Sequence, residues 1–480
     1  MPQFINRNKN VHFSCEEIAD PASVDEVVAL VNRARTSGRR IKAVGGAHGF
    51  NNDIKTDGIL VDLGRMNRVL SVDRQRNAAV VEVGITLADA IAALDAARLH
   101  FPSLGSWSGQ TIAGAMATST HGSTLRHGTL SDIITGVEVV LSDGSVVWVS
   151  EGDRLRALRA HLGQLGLITK VELAFVPAFM LGCKIREVSE DEGFTAISGL
   201  AREHEYISML WLPYLEQCSI RILSHSTASS RNELAAERAR QAVEISRLGK
   251  TLVDVGEFLA GHAYLRAPRF LARTYSKLIR AIFHEDDGVV DKSYNVFRYD
   301  KYREPNTNHY LRLILNSEYA LDIKDLETAL RSVREVIRSY QKASHYINYP
   351  RIHIRFTQGS EKTLIGLNSG RDTAHVGIYI VASIRHRTQI ELARAVEQVF
   401  IDHHGRPHWG KYRYQLSETY KETYPLWRRF QEIRAELDPI GLFADGAGMF
   451  AGLDLLDHPP VGAMWRSLIA PDTYFPVRLL

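Results

Sequence analysis

Apolar residues recur at helical spacing through Val24, Val27, Val28, Leu30 and Val31, preceded by Asp20-Pro21-Ala22-Ser23 and followed by Ser37-Gly38. This predicts a capped helix that feeds a strand at Arg40–Val44. Further strands are expected at Gly58–Leu63 and Ala78–Val83, the second running into a helix from Leu87 to about Leu99. Between Thr135 and Ser150 two alternating apolar runs flank the turn sequence Ser142-Asp143-Gly144-Ser145, which reads as a β-hairpin. A helix near Asp153–Leu165 and a β-branched strand at Gly166–Leu173 complete an α+β unit over residues 14–178. Pro177 and the Ala-Phe-Met-Leu-Gly after it mark the boundary.

The pattern changes in the next stretch, residues 179–420. Strands are predicted at Tyr206–Leu212 and Ser219–Ser224, followed by long amphipathic runs that read as a helical insertion over about 231–283. Strand and helix then alternate: His309–Tyr319, the helix Ile323–Lys342, Arg351–Thr357, His375–Ser383, and the helix Gln389–His403. An antiparallel sheet flanked by helices accounts for that alternation. Residues 421–480 contain Leu437-Asp438-Pro439-Ile440-Gly441-Leu442-Phe443, a turn after a helix, and are expected to pack back on the first unit. The fold class is α+β.

A chain of 480 residues is too long for one compact core, so this division fits its size. The 58 basic and 55 acidic residues are interspersed, which argues against a nucleic-acid partner. Cys15, Cys183 and Cys218 are far apart and form no CxxC, so neither a disulfide framework nor a metal site is expected. No apolar run approaches the ~18 residues of a membrane span, and the N-terminus lacks a signal-peptide core. A cytoplasmic protein with no membrane partner is the expectation.

Chemistry concentrates in Val44-Gly45-Gly46-Ala47-His48-Gly49-Phe50-Asn51, a glycine-rich turn directly after a strand. Without Cβ atoms, consecutive backbone N–H groups can converge on an anion such as a pyrophosphate, and His48 stands beside whatever is bound. Taken alone, the turn is as compatible with a tight surface loop, and it fits neither GxGxxG nor a P-loop. A second segment, Thr111-Ile112-Ala113-Gly114-Ala115-Met116-Ala117-Thr118-Ser119-Thr120-His121-Gly122-Ser123, is almost wholly small or hydroxylated. Such a run allows backbone contact with a large flat ligand, or tight helix packing.

Together with Leu141-Ser142-Asp143-Gly144-Ser145 and Leu162-Gly163-Gln164-Leu165-Gly166-Leu167-Ile168-Thr169, these motifs resemble, in order, the FAD domain of the vanillyl-alcohol-oxidase superfamily. Its aldonolactone and alditol oxidases are the most similar branch. The resemblance covers residues 14–178 and continues more thinly through Trp211-Leu212-Pro213-Tyr214, Ser317-Glu318-Tyr319-Ala320, His408-Trp409-Gly410-Lys411 and Asp438–Phe443. It implies an FAD-binding domain of the PCMH type, with a substrate domain after it.

By that resemblance FAD is held by Gly45, Gly46, Ala47, Gly49, Phe50, Thr111, Gly114, Ala117, Thr118, Thr120, His121, Gly122 and Ile168. The resemblance further implies that His48 carries the flavin covalently. His121 is read as a partner of the flavin phosphates or of its own loop. Gly49 stands where the family usually has serine, which leaves backbone N–H to replace a hydroxyl. On the substrate side, Lys411 and Arg355 correspond to family cations, and Arg355 to the arginine of a Glu-x-Arg pair. The glutamate position holds His353, an imidazole with one donor and one acceptor or a base, in place of a carboxylate. Thr111, His353, Arg355, His408 and Lys411 are expected to contact substrate, with Lys411, Arg355 and His353 as the catalytic set. The implied activity is oxidation of a C–OH group of a small polar molecule, a sugar lactone or polyol first and a specialised biosynthetic intermediate second, with dioxygen as the second reactant giving hydrogen peroxide. A dehydrogenase of the same fold, or a non-catalytic flavin protein, is the alternative. His345, His375, His403 and His404 have no motif support.

Overall fold

The computed structural model describes residues 1–8, 10–227, 276–277, 280, 287–298, 313–343, 351–382, 387–414 and 419–443. The helical insertion predicted over 231–283 lies outside these apart from Ser276, Lys277 and Arg280, and so do His345 and residues 444–480.

Three sheets organise the protein. Strands Glu17–Ala19, Ile59–Asp62 and Ile41–Val44 form a small parallel sheet with Ile59–Asp62 at its centre. The helix Val24–Ser37 joins its first and last strands; Ser23 caps it and Gly38, at φ 64°, ends it. A five-stranded antiparallel sheet runs in the order Val146–Val149, Ile134–Val140, Leu167–Ala174, Ala78–Glu82, Val69–Asp73. The hairpin expected at Thr135–Ser150 is its edge.

The third sheet has eight strands: Val290–Lys292, Met180–Ser189, Gln217–Ser226, Tyr206–Leu212, Arg351–Thr357, Thr373–Ala382, Leu313–Asp322 and Arg406–Pro407. Neighbouring strands in it run antiparallel throughout. Helices Glu190–Glu203, Leu326–Ala343 and Arg387–Asp402 cover one face, where Phe194 meets Trp211 edge-on at 4.7 Å and Phe400 stacks on Tyr319 at 4.9 Å. Because side chains alternate along a strand, Leu210 and Glu318, next in sequence to Trp211 and Tyr319, belong to the opposite face. Around Glu318, His353, Arg355, His375 and Tyr379 that face is polar, and there it is turned toward the first unit.

Several predicted boundaries move for local reasons. The helix expected to Leu165 ends at Arg159, because Leu162 and Gly163 take positive φ, 52° and 67°. The helix from Leu87 stops at Ala96 rather than Leu99, since Leu99–His100 is a short strand paired with Val176–Pro177. The Met-Leu-Gly read as a boundary opens a ten-residue strand, Met180–Ser189, paired along its whole length with Gln217–Ser226. Its mixed apolar and charged sequence hides a strand that is buried on one side only.

The described part of the C-terminal stretch returns to the first unit. Ile41 N–H donates to Leu442 O at 3.0 Å, and Lys42 Nζ reaches Phe443 O at 3.4 Å. Among the described residues no helix is long and apolar enough to cross a membrane.

Candidate active site

The glycine-rich turn is held by one side of its backbone. Arg7 takes Gly46 O through Nε at 2.8 Å and Ala47 O through its own N–H at 3.0 Å. Asn8 donates to His48 O, Asn6 to Gly49 O and Asn10 to Phe50 O, at 3.0, 2.7 and 2.7 Å. The carbonyls of five successive residues are thus occupied. Among the described residues none accepts from the N–H groups of Gly46, Ala47, His48 or Gly49, and Ala47 is turned to φ 56°. Unpaired N–H groups on such a turn form an anion cradle, which fits the pyrophosphate of a dinucleotide. The asparagine-rich segment at residues 6–10 carries no recognisable motif, although its side groups create this arrangement.

The glycine-rich turn and the small-residue segment touch backbone to backbone. A Cβ on Gly45 would stand 2.7 Å from Thr111 Oγ1 and 3.0 Å from Gly114 Cα. Thr111 caps the helix Ile112–Ala117 by accepting from Gly114 N–H at 3.2 Å, so its hydroxyl oxygen already serves the fold. Thr118 donates to Gly114 O at 3.1 Å. Ala117, Thr120 and Gly122 are buried in the same segment, and Ile168 is buried in the five-stranded sheet, opposite Val139. At Gly49 a Cβ would approach nothing nearer than Gly410 O at 3.9 Å. The fold does not require a glycine there.

His48 Nε2 lies 3.0 Å from Gly109 O. A carbonyl only accepts, so Nε2 carries the proton and Nδ1 keeps its lone pair. The Trp107 indole nitrogen, 3.4 Å from the same Nε2, is the longer, competing contact. Burial, then the charge of Arg7, pushes the His48 pKa down to about 3, so the ring is neutral near neutral pH.

Across from the turn, the polar face of the large sheet brings together residues from three strands. Glu318, fully buried, accepts from His121 Nε2 at 2.6 Å and pairs through its other oxygen with Arg355 Nη2. Burial alone would raise its pKa; Arg355 and then His121 outweigh that and hold the carboxyl well below the usual carboxylate range. Its carboxylate lies over Gly377, where a Cβ would be 2.9 Å from Oε2. His375 stacks on His121 with ring centroids 3.5 Å apart and shares a 2.8 Å hydrogen bond with Thr357 Oγ1. Burial, then Arg351 and Arg355, lowers His353 to about 3. Burial also lowers His408 to about 3, against the pull of Glu318 and with the help of Lys411.

The loop His408–Lys411 joins the two halves. Phe50 N–H donates to Gly410 O at 2.9 Å and Asn51 Nδ2 to Trp409 O, while His408 N–H donates to Glu318 O at 2.8 Å. Lys411 Nζ consequently stands 5.7 Å from the centroid of the Phe50 ring and 5.6 Å from that of Tyr379. Ser123 completes the joint: it accepts from Phe356 N–H at 3.1 Å and donates to Ile207 O, between two strands whose own ladder runs only through Met209–Trp211 and Ile352–Ile354.

Residues 171–449 match the family profile described as D-arabinono-1,4-lactone oxidase, and residues 16–150 match that of an FAD binding domain. The protein belongs to the D-arabinono-1,4-lactone oxidase family. It is an FAD-dependent oxidoreductase acting on CH–OH groups. L-gulono-1,4-lactone dehydrogenase of Mycobacterium tuberculosis is 29% identical over 426 residues, covering 89% of this protein and 93% of that one. L-gulonolactone oxidase of Mus musculus is 28% identical over 447 residues, covering 92% and 96%. Among solved structures, cholesterol oxidase from B. sterolicum superposes with a TM-score of 0.73 at 16% identity, over 92% of this protein and 95% of that one, a likeness of fold.

Within this member of the D-arabinono-1,4-lactone oxidase family, the anticipated residues fall into two groups. His48 and its turn form one; Arg355, His353, His408 and Lys411 form the other, on or beside the polar sheet face. His121 sits at the junction and binds Glu318, rather than standing only in the phosphate loop. Sequence reasoning misses Glu318, His375 and Tyr379 as site residues. Glu318 lies in Ser317-Glu318-Tyr319-Ala320, which resembles a family strand but marks no site residue; for His375 and Tyr379 only strand alternation is a signal, and alternation does not tell which strands are neighbours. Ligand atoms of His121, Glu318 and His408 lie within 4.8 Å of one another, the spacing of a metal site, but Arg355 already occupies Glu318. A second cation there would be repelled.

Proposed function

We propose that the protein oxidises a C–OH group of an aldonolactone, with FAD covalently attached to His48 and dioxygen as the final acceptor. The observation that carries this reading is the position of Lys411, between the Phe50 ring of the flavin turn and the Tyr379 ring of the polar sheet face. Bound flavin supplies the two-electron acceptor. Lys411 and Arg355 supply positive charge where negative charge develops during oxidation. Glu318 fixes the direction of Arg355, and neutral His353 offers a donor and an acceptor to substrate hydroxyls.

For attachment, the neutral His48 ring with its Nδ1 lone pair is the nucleophile such a bond requires. Dioxygen is favoured by the relationship to L-gulonolactone oxidase of Mus musculus. The relationship to a dehydrogenase of Mycobacterium tuberculosis supports the second reading, another electron acceptor. Cys15, Cys183 and Cys218 are buried and none is in a disulfide, in keeping with a reducing, cytoplasmic setting.

Turnover of aldonolactones and polyols, followed in parallel by hydrogen peroxide release and by dye reduction, separates these readings. Peroxide in proportion to substrate supports the oxidase, and dye reduction without peroxide supports the dehydrogenase. Yellow colour that leaves the acid-precipitated polypeptide would remove the covalent bond to His48.

A further inference from the structure

Tyr379 stands where the charges of the site meet, yet none of the roles above uses it. On the strand Thr373–Ala382, His375, Gly377 and Tyr379 point to the same side, toward Glu318, His353 and Arg355 of the neighbouring strands. The Arg351 guanidinium carbon is 5.1 Å from the Tyr379 ring centroid, Lys411 Nζ is 5.6 Å from it, and the His353 imidazole meets it edge-on at 5.5 Å. The ring is partly exposed, and among the described residues none hydrogen-bonds to its hydroxyl.

A second polar group beside it is likewise unpaired. Asn316 is the direct cross-strand partner of Tyr379, is 4% exposed, and has a buried Oδ1 with no hydrogen-bond partner among the described residues. A buried polar atom normally has a hydrogen-bond partner. A phenol and an amide oxygen left open on one sheet face, between two cations, match a ligand carrying adjacent hydroxyl groups.

We propose that Tyr379 is a catalytic acid–base residue, its oxygen hydrogen-bonded to the substrate hydroxyl being oxidised and receiving that proton, with Asn316 Oδ1 accepting from a neighbouring hydroxyl. This rests on the reading of the protein as a C–OH oxidoreductase. In the step, the substrate O–H bond breaks and its proton passes to the oxygen of Tyr379 in its ionised, phenolate form, which becomes a neutral phenol. The C–H bond on the same carbon breaks, its hydride and both electrons leave to the flavin, and C–O becomes C=O. Lys411, Arg355 and Arg351 face the phenol as cations, Glu318 as an anion, and His353 as a neutral ring. Burial raises the phenol pKa, but Lys411 and Arg355, helped by Arg351, outweigh burial and Glu318 and bring it below the ordinary tyrosine range.

The test is Tyr379→Phe in the flavin-loaded enzyme, which keeps the ring and removes the oxygen. The expected result is a fall in kcat/KM of about 100-fold with loss of the ionisation that raises the wild-type rate with pH, at unchanged flavin content. A kcat/KM within about threefold of wild type, or a fall with the pH profile intact, overturns the proposal. Should the variant not fold, Lys411→Met decides. Removing the ammonium must move the same ionisation upward, and an unmoved midpoint sinks the idea. Ultraviolet difference titration of the wild-type holoenzyme needs no turnover: the absence of a phenol ionising below the ordinary range overturns the role of Tyr379, whereas failure of every lactone and polyol to react overturns only the substrate reading.

Discussion

His121 donates to Glu318 across 2.6 Å, and the two residues come from opposite halves of the molecule, one from the small-residue segment of the flavin domain and the other from the large sheet. Arg355 completes the contact on the second carboxylate oxygen. Glu318→Gln keeps the shape and removes the charge, so Arg355 loses its counter-ion at a buried position. Loss of about 3 kcal/mol of stability, measured by urea unfolding of the flavin-loaded protein, is expected together with a drop in kcat/KM. A variant as stable and as active as wild type would show that the pair does not organise the site.

Gly45 is where the glycine-rich turn and the small-residue segment come closest. Gly45→Ala places a methyl 2.7 Å from Thr111 Oγ1 and should force the turn away from the helix Ile112–Ala117, at about 1–3 kcal/mol. The readout is the flavin-to-protein ratio, which should fall. Gly199→Ala is the matched control: it lies in the helix Glu190–Glu203 with nothing within 4 Å of the new Cβ. It should bind flavin normally and gain up to about 1 kcal/mol from helix propensity.

The asparagine strap gives a third expectation. Asn6 donates to Gly49 O at 2.7 Å and accepts from the N–H groups of Asn10 and Val11, each at 3.0 Å. Asn6→Ala leaves these groups without partners, at about 1–3 kcal/mol, and frees the turn that presents the N–H cradle. Thermal shift should report a smaller stabilisation by FAD in the variant than in wild type. An equal stabilisation would mean that the strap does not shape the cradle.

Acid should destabilise the fold before its carboxylates protonate. His161, His353 and His408 each have a folded pKa near about 3, against an unfolded value of about 6.5, burial being the first cause in all three. Below about pH 6.5 the unfolded protein binds protons that the folded one refuses, so stability falls with decreasing pH, by up to about 1.4 kcal/mol per pH unit for each histidine. Glu318, whose folded pKa is depressed, adds its own loss at lower pH, beneath the unfolded carboxylate value. Urea midpoints taken between about pH 7 and about pH 5 should therefore drop steeply. A flat profile over that range would contradict the neutral burial of these rings.

The sequence by itself determined the cofactor half of this protein. Gly45 to Gly49 and Thr111 to Gly122 are continuous segments, and the role proposed for them depends on backbone conformation, small size and order along the sequence, all of which are local properties. The hairpin at Ser142–Ser145 and the helix capped by Ser23 are legible for the same reason.

The substrate half was only partly legible. Arg355 and Lys411 stood out through their resemblance to family positions, whereas Glu318, His375, Tyr379 and Asn316 were not marked as site residues by any motif. What brings them to one face is that Arg351–Thr357 and Leu313–Asp322 both pair with Thr373–Ala382, in registers that set Glu318 and His353 opposite Gly377 and Asn316 and Arg351 opposite Tyr379. Register between strands distant in sequence is chosen by the burial of their other face beneath the three helices. A shift of one residue would have turned the same polar groups into the core, so tertiary packing alone decided that they face the flavin domain together.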